Sequence, residues 1–141
     1  MQSPGGIASG LILIAVTDGW IGPGLGTFYP FLRQTVRVGR FRMNAAGVDI
    51  VLRASPPGRV GGDIGAYHVD FRFLRKRWML CATGSSGALA HNGETVDPLS
   101  VPRPMSDGDI VQIGSVRFRF EENIALPLEA RIHSHGFLFL P

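Results

Sequence analysis

Arginine carries most of the cationic chemistry of this chain. Of its 14 basic residues, Lys76 is the only lysine. A guanidinium offers a planar fork of donors suited to phosphate and carboxylate oxygens, so this bias fits anion recognition. Arg40 follows Gly39 at the end of an apolar-alternating stretch, and Arg53 and Arg59 flank Pro56-Pro57-Gly58. Ser85 and Ser86 add hydroxyl donors, and Asn92 adds an amide.

The residues that could do covalent or metal chemistry have simpler readings. Asp107 and Asp109 are spaced like a carboxylate pair, but Asp107-Gly108-Asp109-Ile110 is better explained as a turn entering a strand. His133 and His135 would share one face of a strand, a spacing that suits Zn²⁺, yet no third ligand accompanies them. His91, before Asn92-Gly93, is expected to be an exposed turn residue, and Cys81, inside an apolar run, a small core residue. No nucleophile–base pair and no phosphate-cradling loop stands out, so neither an enzyme, a cofactor nor a metal is expected.

The elements that must hold these groups read as strands. Expected strands are Leu11 to Val16, Thr27 to Leu32, Thr35 to Val38, Asp49 to Leu52, His68 to Phe73, Trp78 to Ala82, Ile110 to Ile113 and Val116 to Phe120. Val69-Asp70-Phe71-Arg72-Phe73 and Val116-Arg117-Phe118-Arg119-Phe120 alternate large apolar with polar residues, which sends one set to a core and the other to water. Gly22-Pro23-Gly24, Pro56-Pro57-Gly58, Asn92-Gly93 and Asp107-Gly108 supply the turns. No stretch shows a helical apolar stripe with start and stop signals. The expected fold is all-β, a two-sheet antiparallel β-sandwich.

Length and composition bound the organisation. At 141 residues with 45% hydrophobic side chains, the chain suits one domain with an ordinary core. Residues 1–10 are expected to be a flexible lead-in, 11–121 the sandwich, and 122–141 an apolar tail ending Phe137-Leu138-Phe139-Leu140-Pro141. That tail either folds back on the domain or contacts a partner subunit. The net charge of +3 is spread along the chain; only Arg75-Lys76-Arg77 clusters, and it reads as a solvated turn. No nucleic-acid partner is expected. Cys81 is alone and the run Leu11 to Val16 is too short to span a bilayer, so the expectation is a cytoplasmic protein, free or within a membrane-associated complex.

Taken in order, these pieces resemble the forkhead-associated (FHA) family over about Leu11 to Glu121. Thr35-Val36-Arg37-Val38-Gly39-Arg40 resembles the strand ending in Gly-Arg, and Val48-Asp49-Ile50-Val51-Leu52 the Asp-Ile strand after it. Gly65-Ala66-Tyr67-His68 stands in the place of the Ser-Arg-x-His element, and Trp78-Met79-Leu80 in that of Trp-x-Leu. Ser85 to Gly93 spans the place of Ser-x-Asn-Gly-Thr and a second Asn-Gly. Ser106 to Gly114 is similar to the Asp-Gly-Asp strand and its hairpin.

The resemblance implies a module that binds a phosphothreonine peptide on loops at one end of the sandwich, with Gly39 and His68 structural and Arg40 a phosphate ligand. The departures fall on those loops. Gly65 replaces the phosphate-binding Ser, Gly87 the peptide-holding Asn (Ser86 after a one-residue shift, which still lacks the amide), and Ala82 the usual Asp. The expectation is therefore a protein-binding module that works without phosphate, in assembly or scaffolding, through Arg40, Arg59, Gly65, Ser85, Ser86 and Asn92. The alternative is a phosphothreonine-binding signalling domain that uses Arg40 and neighbouring arginines.

Overall fold

The computed structural model describes residues 6–16, 20, 24–40, 50–52, 69–83, 88–125 and 137–138. Its strands are β1 (Ile7–Ala15), β2 (Thr27–Pro30), β3 (Thr35–Arg40), β4 (Ile50–Leu52), β5 (Val69–Leu74) and β6 (Arg77–Ala82). They continue with β7 (Leu89–His91), β8 (Glu94–Thr95), β9 (Arg103–Pro104), β10 (Ile110–Ile113), β11 (Val116–Ala125) and β12 (Phe137–Leu138). They form a seven-stranded sheet in the order β12-β2-β1-β11-β10-β7-β8 and a five-stranded sheet in the order β4-β3-β5-β6-β9. The paired strands run antiparallel except β3 and β4, which run parallel with Gly39 opposite Val51. The all-β sandwich expected from the sequence is the fold observed.

Alternation does the positioning. In β11, Val116, Phe118 and Phe120 point inward and are fully buried, and in β5 Val69 and Phe71 do the same. Leu11 and Leu13 of β1, Val36 and Val38 of β3, and Trp78 and Leu80 of β6 complete the two facing layers. Phe31, just past β2, joins them: its ring stacks on Phe71 at 4.9 Å, leans on Trp78 at 4.7 Å and reaches Phe120 at 6.0 Å. One aromatic side chain thus contacts both sheets, and the rings keep the offset and tilted arrangements that favour their quadrupoles.

Gly10 permits the close approach of β1 to β2. A Cβ there would overlap the Tyr29 carbonyl and crowd the Phe28 ring. The pairing with β11 also slips between Ala8 and Gly10, so this stretch of β1 is locally irregular.

Some boundaries differ from expectation. β1 begins at Ile7, inside the expected lead-in, and β11 runs on to Ala125 instead of stopping at Phe120. Strands β7, β8, β9 and β12 were not expected from the sequence; each is two or three residues long and shows too little alternation to read. From the tail, Phe137 and Leu138 pair with Phe28 and Thr27 of β2.

Cys81 departs from its expected place in the core. Register sets it opposite Asp70 on the outer face of the five-stranded sheet, where it is half-buried. Partial burial pushes its thiol up; Arg72 pulls the other way, and Asp70 adds to the rise. A raised thiol keeps little thiolate, so the side chain is a poor nucleophile despite its position. Asp70 itself is buried and accepts from Arg37 Nε at 2.9 Å and Nη2 at 3.2 Å, with Arg72 Nη2 at 3.4 Å.

Candidate functional site

Strand register places two sets of sequence-predicted residues at opposite ends of the sandwich. In the five-stranded sheet, Val38 lies beside Ile50 and Val69, Arg40 beside Leu52, and Val69 beside Ala82. The described residues flanking segments 41–49, 53–68 and 84–87 therefore gather at one end, the Gly39 end. In the other sheet, the Gly114 N–H donates to the Ala88 carbonyl at 2.8 Å and brings the β10–β11 hairpin to this same end.

Gly39 and Arg40 close β3 here, as the family resemblance implied, two residues beyond the Val38 end read from alternation. Gly39 is buried in the ladder. The expected ligands Arg59, Gly65, Ser85 and Ser86, the expected structural His68, and Arg53, Gly87, His133 and His135 lie outside the described residues. A rigid sheet end fringed by connections is the arrangement on which binding side chains are commonly mounted.

Asn92 is not at this end, contrary to expectation. β7 is three residues long and carries the chain from Ala88 to the far end before the turn. There the Asn92 N–H donates to the Ile110 carbonyl at 2.8 Å, and Ile110 opens β10 while Ile113 closes it. The far end is identified from the other sheet by Ser106, which accepts from Arg77 Nη2 at 3.2 Å and donates its N–H to Asp109 Oδ2 at 2.9 Å. Arg77 begins β6 at the hairpin end, remote from Ala82. The Asn92 amide is also spent internally: Nδ2 donates to Asp109 Oδ1 at 3.1 Å and Oδ1 accepts the Ile110 N–H at 2.8 Å.

At that far end lies a polar network that the sequence reading missed. His91, expected to be an exposed turn residue, is buried at 6% exposure, because it follows Leu89 by two positions and so shares its inward face. Its Nε2 lies 2.7 Å from Asp109 Oδ2. Arg103 Nε donates to its Nδ1 at 3.0 Å, and Arg103 Nη2 reaches Glu94 Oε1 at 2.6 Å. A donor at Nδ1 makes that nitrogen the acceptor, so the ring carries its proton on Nε2 toward the carboxylate.

Burial raises the Asp109 pKa, but the Ser106 N–H and the His91 and Asn92 side chains outweigh it and hold the carboxyl below its ordinary range. Both imidazole nitrogens are occupied and no hydroxyl or thiol joins the network among the described residues. Its chemistry is that of a clamp: Arg103 belongs to the five-stranded sheet, while His91, Glu94 and the start of β10 belong to the seven-stranded one. Asp107 is spent in a similar way, its Oδ1 accepting the Glu122 N–H at 2.7 Å.

Comparison with known proteins finds the same architecture. Mycobacterium tuberculosis EmbR, in complex with a low-affinity phosphopeptide, matches 86% of this chain at 20% identity with a TM-score of 0.61; the chain spans 26% of EmbR. The FHA domain of an Arabidopsis thaliana hypothetical protein matches 85% of the chain at 21% identity with a TM-score of 0.60, over 90% of its own length. The FhaA FHA domain, complexed with the intracellular domain of Rv3910, matches 81% at 17% identity with a TM-score of 0.53, over 100% of its length. No family model matches the chain, and neither does any curated protein. The fold is that of an FHA domain.

Proposed function

We propose that this chain is a protein-binding module that docks a partner at the Gly39 end without requiring phosphate, in the assembly or scaffolding of a complex. The observation that carries the reading is the placement of Gly39-Arg40 at a sheet end where the flanks of three connecting segments converge. Two solved structures of this fold support the class of function, one holding a phosphopeptide and one an intracellular protein domain.

Independence from phosphate follows from residue types. Gly65 and Gly87 stand where the family's serine and asparagine contact the ligand, and glycine has no side-chain donor. A hydrogen bond to a charged group is worth roughly 1.5–3 kcal/mol. Losing two weakens a phosphopeptide site by about 10²-fold or more, at tenfold per ~1.4 kcal/mol. The second reading, a phosphothreonine-binding signalling domain, is favoured by one feature: Arg40 keeps the cation at the end of β3.

A pull-down from native lysate, with and without phosphatase, separates the two. Phosphate-independent docking leaves the captured partners unchanged by phosphatase and reduces them with Arg40→Glu. Loss of every partner on phosphatase treatment hands the function to the second reading. Capture unaffected by Arg40→Glu together with Ser85→Glu removes this end from the binding surface.

A further inference from the structure

The end of the sandwich remote from Gly39 carries a second surface, built on the β5–β6 hairpin. Leu74 pairs with Arg77, so the loop is the two residues Arg75 and Lys76, at φ 52° and 64°. Two consecutive positive φ values define the mirror-type turn that favours Asn-Gly, since side chains with a Cβ resist the left-handed region. The chain nevertheless places two long cations there. Both are exposed, and neither has an acidic partner among the described residues. Strained backbone that displays charge is a pointer to use.

Beside the hairpin lies a shallow groove of about 340 Å³ lined by Ile7, Phe31, Leu32, Arg33, Phe73 and Trp78. The Phe73 N–H donates to the Gln34 carbonyl at 2.8 Å, which fixes the 32–34 segment against the hairpin. Ile7 is 64% exposed, Leu32 56% and Phe73 39%, an unusual gathering of large apolar side chains in water. The cations stand on the five-stranded sheet's side. The opposite wall holds the uncharged Ser9 and Asn123.

We infer that this groove docks a short protein segment in which one or two large apolar residues are flanked by Asp or Glu on the side that meets Arg75 and Lys76. The apolar residues cover Ile7, Leu32 and Phe73, and the carboxylates face the cations. A lipid surface fits less well. The cations occupy the tip of the hairpin and the apolar groups sit behind them, whereas interfacial insertion needs the apolar groups to lead. The site is separate from the Gly39 end and does not depend on what binds there.

Selection of a random peptide library displayed on phage against the immobilised full chain tests this. The expected consensus joins Leu, Ile, Phe or Trp to adjacent Asp or Glu. Its synthetic peptide should lose about tenfold in affinity, by fluorescence anisotropy, with Arg75→Glu combined with Lys76→Glu, and a similar factor with Leu32→Asp. Arg40→Ala should leave it unchanged. Circular dichroism verifies that each variant folds.

Arg75→Asn with Lys76→Gly keeps the turn and removes the charge, so it should weaken the peptide as well. Absence of enrichment, a consensus lacking acids, or affinity indifferent to these substitutions overturns the proposal. It is also overturned if phosphatidylserine vesicles bind the chain through these cations while the selected peptides do not, or if the groove is closed by a dimer that charge reversal dissolves.

Discussion

Two hairpins of this molecule make the same turn from opposite materials. Arg75-Lys76 joins β5 to β6 and Asn92-Gly93 joins β7 to β8, each a two-residue loop with both φ values positive: 52° and 64° in the first, 50° and 84° in the second. Asn-Gly tolerates this geometry, and Asn92 further ties the turn to β10 with its side chain. Arg-Lys tolerates it poorly, at a cost of about 1–2 kcal/mol per residue. The β5–β6 ladder around that turn carries six residue pairs, whereas β7–β8 carries two. A long ladder can hold an unfavourable turn and leave its residues for display, while a short one needs a turn that helps it form.

That contrast can be broken experimentally, and the largest effect is expected at Asp109. Asp109→Ala removes the acceptor shared by His91, Asn92 and the Ser106 N–H, and leaves donors unpaired in a partly buried place. Urea unfolding should show a loss of about 3 kcal/mol, since stranding such groups costs about 1–3 kcal/mol each and the members are coupled. A loss below about 1 kcal/mol would mean that the short hairpin is held by something other than this network.

The same carboxylate predicts a pH dependence. Its folded pKa lies below that of the unfolded chain, so its stabilisation is complete above the unfolded value of about 4 and disappears as pH falls through the folded value. Asp109→Asn should flatten the acid limb of stability against pH. An unchanged limb would place the acid-sensitive group elsewhere.

Transplanting the turns is next in size. Asn92→Arg with Gly93→Lys should cost roughly 2–3 kcal/mol, through two left-handed side chains and the lost Asn92 bonds. The reverse transplant, Arg75→Asn with Lys76→Gly, should stabilise by about 1 kcal/mol in the same assay. If the second exchange destabilised the protein, Arg75 and Lys76 would have a structural role and the contrast would fail.

The smallest effect is expected from Arg77→Ala. Its bond to the Ser106 hydroxyl ties the β5–β6 hairpin, at an exposed position, to the turn whose Asp109 holds the β7–β8 hairpin, and loss of it should stay within about 0.5 kcal/mol. A larger change would show that the two hairpins act as one unit.

Much of this arrangement was legible from neighbours along the chain. Alternation in 69–73 and 116–120 needs only period two to place Phe71, Phe118 and Phe120 inside, and Gly39-Arg40 was read at the end of its strand. Short strands were not legible, since two or three residues show no period.

Where tertiary structure decided, the reason was register or strand length. Trp78-Met79-Leu80-Cys81-Ala82 is apolar on both faces, so no pattern says which set turns inward; pairing of Cys81 with Asp70 settles it and moves the thiol out of the core. Asn92 follows Ala88 closely in the chain, yet three extended residues at about 3.3 Å each carry it away from the Gly39 end. His91 became a buried member of a clamp because its partners come from elsewhere in the fold, Arg103 from β9 and Asp109 from the turn before β10, and sequence spacing holds no information about which strands become neighbours.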